Sequence, residues 1–150
     1  MNCPMIFTLP EDIARQLVAY ALQQAPKEAC GLLLRSLTNR IEGFEPFRNY
    51  SPRPLEAFQL CEHCVSSVVA TFPCQVVLWH SHPVSSHRPS VADLAIIRQT
   101  GLPMAILSLQ GQARTFAIYE PVPESHSNGA VREAFKVHLG ALDQEPVHAD

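Results

Sequence analysis

With 150 residues, 47% of them hydrophobic and 17% charged, the chain has the make-up of one ordinary globular domain, long enough to bury about two thirds of its unfolded surface. A net charge of -3 gives no support for nucleic acid or an anionic membrane as a partner, and no run of about 18 apolar residues is present to cross a bilayer. The amino terminus has no basic region leading into an apolar core, so no signal peptide is read and a cytoplasmic location is expected.

Thr8-Leu9-Pro10-Glu11 has the form of a capping box, with proline tolerated in the first turn. Ile13, Leu17, Tyr20 and Ala21 follow at helical spacing and predict a first helix over about Pro10 to Gln24, ended near Pro26. Glu28 falls in the short connection that follows, where a side chain can face a cleft; taken alone it reads as an ordinary exposed glutamate. Cys30 to Arg35 is a short apolar strand, with Cys30 a small buried hydrophobe. Thr38-Asn39 supplies a turn and Ile41 to Phe47 a second strand, which together suggest a hairpin. The prolines of Asn49 to Pro54 make a loop, and Phe58 to Leu60 reads as a short strand. Val65, Val68 and Val69 place a second helix over about Cys61 to Thr71. Five cysteines, an odd number, argue against a disulfide scaffold. Cys61-Glu62-His63-Cys64 lacks the second ligand pair of a zinc finger, so incidental helix-surface thiols are the preferred reading and a second metal or redox role the alternative.

Val76-Val77-Leu78-Trp79 is a buried strand, part of a central strand over Cys74 to His82, and it runs straight into His80-Ser81-His82-Pro83. Alternate residues of a strand share a face, so His80 and His82 project the same way and can hold one metal ion. Pro83, two serines and Pro89 turn the chain. Ser90 then stands at a helix start with Asp93 in its first turn, which brings a carboxylate back towards the two histidines. Ser90 and Asp93 are also an ordinary capping pair, but the joint pattern H-x-H-x7-S-x2-D arises by chance in on the order of one chain in a few thousand of this length. Two histidines and one aspartate leave a fourth position for water, the build of a catalytic zinc site. His87 is a rival ligand whose spacing from His82 suits no shared strand face, and it is read as an exposed loop residue.

The third helix runs from Ser90 to Thr100, with Leu94 and Ile97 turned inwards and Gly101 as its stop. Met104 to Leu109 and Arg114 to Tyr119 are two further strands, joined by the Gln110-Gly111-Gln112 turn. After Pro121-Val122-Pro123 the composition shifts: Ser125 to Gly129 reads as a linker, and Val131 to Leu142 as a helix with Val131, Phe135 and Leu139 on one face. The final segment is expected to fray. The fold class is therefore α/β of the α+β kind, a mixed β-sheet flanked by helices, with the metal at the end of the central strand.

The residues His80-Ser81-His82-Pro83, then Ser90 and Asp93, resemble the JAMM (MPN-plus, JAB) zinc metalloprotease motif at every fixed position. Glu28-Ala29-Cys30-Gly31-Leu32-Leu33-Leu34 resembles the family's upstream glutamate, which precedes a strand and is followed three positions on by glycine. The resemblance covers roughly Ile6 to Tyr119. It implies a curved sheet of the MPN, cytidine-deaminase-like type, a JAMM/MPN-like domain over 1–122 and an extension over 123–150. It implies one zinc ion held by His80, His82 and Asp93, with Glu28 as general base and acid on the zinc-bound water and Ser90 stabilising the tetrahedral intermediate. The implied activity is isopeptide or peptide hydrolysis. The implied substrates are a ubiquitin-like or sulfur-carrier protein, or a phage tail protein. Asn49 to Pro54 followed by Phe58, the Arg88-Pro89-Ser90-Val91-Ala92-Asp93 entry to the helix, and Thr100-Gly101-Leu102-Pro103 look closer to the amino-terminal domain of tail assembly proteins of the lambda K type. Proteins of that branch often carry a second, wall-degrading domain; a chain of this length has no room for one and reads as a stand-alone metallopeptidase. The alternative is a phage tail assembly protein or a non-catalytic MPN-type scaffold, since some relatives have lost the ligands that are all present here.

Overall fold

Val76–His82 is buried along its whole length because it is covered on both faces, and the rest of the fold is laid out on either side of it. The computed structural model describes residues 6–123 and 129–140. In chain order the elements are α1 (Glu11–Gln24), β1 (Cys30–Arg35), β2 (Ile41–Phe47), α2 (Glu62–Thr71), β3 (Val76–His82), α3 (Val91–Thr100), β4 (Met104–Ser108), β5 (Thr115–Pro121) and β6 (Val131–His138). The strands form one six-stranded sheet in the order β2-β1-β3-β4-β5-β6. Only the β3–β4 pair is parallel, and α3 makes the crossover that such a pair requires. This is the expected mixed sheet flanked by helices. Among the described residues no helix is long and apolar enough to cross a membrane.

The period of two along the strands sorts the core into two layers. Val77 and Trp79 of β3 join Leu33, Ala105, Leu107, Phe116 and Ile118 under Ile13, Leu17, Val18 and Ala21 of α1. Leu78 points the other way and joins Leu32, Met104, Ile106 and Ala117 against Ile97 of α3, with Val65, Val68 and Val69 of α2 at the margin. Fully burying a Val, Leu or Ile contributes about 1.5–3 kcal/mol. α1, with Ile13, Leu17 and Val18 inside, is therefore strongly anchored, whereas α2 buries no residue completely and is held weakly.

Four local readings need correction. Pro10, not Thr8, is the residue before α1, and no side chain caps that helix; Thr8 instead pairs its backbone with Asn39 and Ile41. Phe58 to Leu60 is not a strand, because its backbone is engaged by the preceding loop and the Phe58 ring turns into the site described below. Val131 to Leu142 is no helix over its described part: Val131–His138 is β6, paired antiparallel with β5 from Pro121↔Val131 to Thr115↔His138. The spacing of four between Val131, Phe135 and Leu139 mimics a helical face, but the register shift at Ile118/Tyr119 sets Val131 against one core layer and Phe135 and Leu139 against the other, and packing of Phe135 against the Phe7 and Phe116 rings goes with the strand. Cys61 and Cys64, read as incidental thiols, are joined in a disulfide, since the first turn of α2 brings positions three apart onto one side. Residues 125–128 of the linker and the end of the chain from 141 lie outside the described residues.

Gly31 is needed where β1 meets β2. A Cβ there would run into the Glu45 carbonyl oxygen and the Pro46 Cα, which are backbone atoms unable to swing aside. Gly31→Ala is expected to lower stability by about 1–3 kcal/mol, the usual range for overpacking. The denaturant midpoint measures it; an unchanged midpoint would show that the two strands separate freely.

Candidate metal centre

Two pieces of local geometry assemble the site. The first is the antiparallel pairing of β1 with β3, which sets Cys30 opposite His80. It is carried one step further by Ser81, whose N–H donates to the Ala29 carbonyl at 2.9 Å and whose Oγ accepts the Ala29 N–H at 2.8 Å. Glu28, the next residue, is thereby brought from 52 positions away to the end of β3. Its backbone is held from the other side, with its N–H on the Pro54 carbonyl at 2.7 Å and its carbonyl accepting from Asn49 Nδ2 at 3.0 Å. The second piece is the turn from β3 into α3. Ser108 Oγ donates to the Ser85 carbonyl at 2.6 Å and the Tyr119 hydroxyl to the His87 carbonyl at 2.9 Å, so the loop is tied to β4 and β5. The turn ends in the expected reciprocal cap: Asp93 N–H donates to Ser90 Oγ at 3.0 Å and Ser90 N–H to Asp93 Oδ2 at 2.9 Å.

The result is a buried cluster of His80, His82 and Asp93 whose ligand atoms lie within 4.8 Å of one another. His80 Nε2 is 3.1 Å from His82 Nε2 and 3.2 Å from Asp93 Oδ1, and His82 Nε2 is 3.2 Å from Asp93 Oδ2. Glu28 Oε1 stands 3.9 Å from His80 Nε2, outside hydrogen-bond reach, with the side chain buried. His82 Nδ1 faces the Ser86 carbonyl at 2.6 Å; a carbonyl only accepts, so Nδ1 carries the proton and Nε2 is left bare in the neutral ring. Its neighbour, His80 Nε2, faces the same point. Two imidazole nitrogens and a carboxylate converging in this way are suited to sharing one cation.

The charges are coupled. Burial would raise the Asp93 carboxyl, but His80 when charged, hydrogen bonds from the imidazole Nε2 atoms when they carry a proton, and the Ser90 N–H outweigh it and hold Asp93 well below the usual carboxylate range in the metal-free site. Burial pushes Glu28 up to about 7, with Asp93 adding to the rise and His82 opposing it. Burial lowers His80, against the pull of Asp93. Burial also works to lower His82, but its bonds to Asp93 and Ser86 and the nearby carboxylates raise it on balance.

All five residues singled out from the sequence are in this region, though Ser90 differs in kind. It is exposed, and its Oγ accepts the Asp93 N–H. Ser90→Ala is expected to lose about 1 kcal/mol of stability through the cap, and turnover as well. A variant with unchanged turnover would leave Ser90 as a cap alone.

His87 is not part of the cluster. It is partly buried rather than exposed, with Nε2 3.6 Å from Glu133 Oε1. Two supporting residues had not been singled out for the site. Phe58 stacks on the His80 ring, centroids 4.1 Å apart and planes at 21°, and holds it flat. Asn49 donates to the Glu28 and Ala57 carbonyls and accepts the Ser51 and Gln59 N–H groups, all at 2.9–3.0 Å, so one side chain joins the Glu28 backbone to the segment carrying Phe58. An asparagine followed by a proline-rich loop was the only sign of it.

The family described as prokaryotic homologs of the JAB domain matches residues 10–119. The tail tip assembly protein K of Escherichia phage N15 is 33% identical over 100 residues, which make up 66% of this chain and 40% of that protein. The matched stretch thus spans about two-fifths of the relative's length. The solution structure of protein DSY2949 from Desulfitobacterium hafniense superposes with a TM-score of 0.68 at 26% identity, over 85% of this chain and 89% of that one. AF2198, a JAB1/MPN domain protein from Archaeoglobus fulgidus, superposes with a TM-score of 0.51 at 17% identity over 77% of this chain and 88% of that one, a likeness of fold alone.

Proposed function

This chain belongs to the family of prokaryotic homologs of the JAB domain, and from that premise we propose that it is a zinc-dependent metallopeptidase that hydrolyses isopeptide or peptide bonds. The observation that carries the proposal is the convergence of His80 Nε2, His82 Nε2 and the Asp93 carboxylate, with the Glu28 carboxyl beside them but not among them. The donor set suits one zinc ion per chain. Ligand atoms about 2.0–2.1 Å from a tetrahedral zinc lie about 3.3 Å from each other. Here the two Nε2 atoms are 3.1 Å apart, and each lies 3.2 Å from a different oxygen of Asp93, Oδ1 for His80 and Oδ2 for His82. Two imidazoles and one carboxylate leave a fourth position, as catalytic zinc sites do.

When bound, zinc polarises a carbonyl and lowers the pKa of water to about 7. The chain's own groups do the rest. Glu28, buried beside the cluster but outside hydrogen-bond reach of His80, takes a proton from the attacking water and returns it to the leaving nitrogen. Asp93 stays ionised and balances the metal's charge. The Ser86 carbonyl keeps the proton of His82 on Nδ1, so that Nε2 faces the site. Ser90 offers its hydroxyl proton to the oxyanion of the tetrahedral intermediate.

A second reading is assembly rather than hydrolysis, favoured by the likeness to a phage protein named for tail tip assembly. It makes a phage tail protein the partner, either as substrate or as the body on which the domain sits; a ubiquitin-like or sulfur-carrier protein is the corresponding substrate under the hydrolytic reading. Ubiquitin-like fusions, phage tail proteins and short peptides incubated with the protein separate the two. The peptidase reading expects cleavage that vanishes with a chelator and returns with added zinc. Cleavage indifferent to a chelator would contradict it, as would binding of a tail protein with no cleavage by zinc-loaded protein.

A further inference from the structure

Cys61-Glu62-His63-Cys64 plays no part in the metal centre, and its geometry is that of a site in its own right. The two sulfurs are bonded to each other across the first turn of α2. Cys61 is the residue before the helix, and its Sγ accepts the backbone N–H of Cys64 at 3.2 Å. A thiolate at Cys61 therefore meets both a direct N–H donor and the positive end of the helix dipole, the two features that stabilise the ionised form in C-x-x-C pairs. Cys64 is exposed, as are Glu62 and His63 between the two, so solvent reaches the bond. The bridge is not a staple of the core: it closes a turn of four residues on a helix that buries no residue completely. It can open while both core layers stay packed. Cys30 offers the contrast within the same chain, a free thiol fully buried and pushed up to about 12 by burial and by Glu28.

We propose that Cys61 and Cys64 are a redox-active pair that exchanges with thiols of the glutathione class. In the reducing direction a thiolate attacks Cys61 Sγ, the Cys61–Cys64 bond breaks, and Cys64 leaves and takes up a proton. A second thiolate attacks the outer sulfur of the mixed disulfide, and Cys61 departs as the thiolate that the Cys64 N–H stabilises. In sum, two thiols give two electrons and two protons to the pair and become one disulfide. The oxidising direction is the reverse, with Cys61 as the attacking group and Cys64 closing the ring. The inference does not depend on the metal reading and holds with a chelator present.

The test is to equilibrate the full chain in buffers of reduced and oxidised glutathione, quench with acid, label free thiols with a maleimide and map the peptides. Cys61 and Cys64 should pass together from blocked to labelled in one two-electron transition. In the reduced protein, limiting iodoacetamide at neutral pH should modify Cys61 at least about tenfold faster than Cys64. Cys64→Ser should collect a glutathione adduct on Cys61, whereas Cys61→Ser should collect far less on Cys64. A pair that stays dithiol in oxidised glutathione, or stays bridged in reduced glutathione, would overturn the proposal. So would equal alkylation of the two thiols. The titration and alkylation use wild-type protein, so the outcome does not hang on whether a variant folds.

Discussion

Glu28→Gln is expected to keep its fold and its zinc, yet to hydrolyse an isopeptide or peptide substrate at least about a hundredfold more slowly, the low end of what a positioned acid-base group contributes. Glutamine has nearly the same shape, and its amide needs no ionisation in a buried place. Burial has raised the Glu28 carboxyl to about 7, which is the mark of an environment unfavourable to the charged form. The denaturation midpoint at neutral pH should therefore not fall. The backbone contacts of residue 28 with Pro54 and Asn49 are untouched by the change. Only the capacity to accept a proton is lost. Loss of zinc from the variant would make Glu28 a ligand or a support for one. Retention of both zinc and full turnover would mean that another group is the base.

His80→Ala should weaken zinc binding by more than about a hundredfold, because even loss of a group that merely supports a ligand costs 10–100-fold. His80 is fully buried and its Nε2 faces both His82 and Asp93, so the change removes one of the three converging ligand atoms of the cluster. His87→Ala is the matched control. That imidazole is paired with Glu133 across the loop and lies outside the cluster, so zinc affinity should stay within about twofold of wild type, inside the usual scatter of a remote surface change. Competition titrations against a chromophoric chelator give both values. Equal affinities for the two variants would show that the cluster is not where the metal goes.

The parts of the site that could be read from the sequence are those that a single turn brings together. His80, His82, Ser90 and Asp93 lie within one strand, one loop and the first turn of one helix, where spacing alone dictates direction. Glu28 is different. Its place depends on the register of β1 against β3, a long-range pairing that local periodicity does not contain, and only the family resemblance pointed to it. Phe58 and Asn49 escaped for the same reason: their value lies in contacts with His80 and with the backbone of Glu28, while their own segment has no regular structure. β6 was mistaken for a helix because its apolar residues recur every four positions, a spacing that mimics a helical face, and its partner β5 is supplied by the fold. An odd number of cysteines pointed away from a disulfide scaffold, yet parity says nothing about one pair three positions apart on a helix turn.

Zinc titrated calorimetrically into metal-free wild-type protein tests the central claim most directly. The expected result is one equivalent per chain, with protons released on binding, and no uptake by the His82→Ala/Asp93→Ala double variant under the same conditions. Absence of uptake by the wild type, or the same uptake by the double variant, would contradict it.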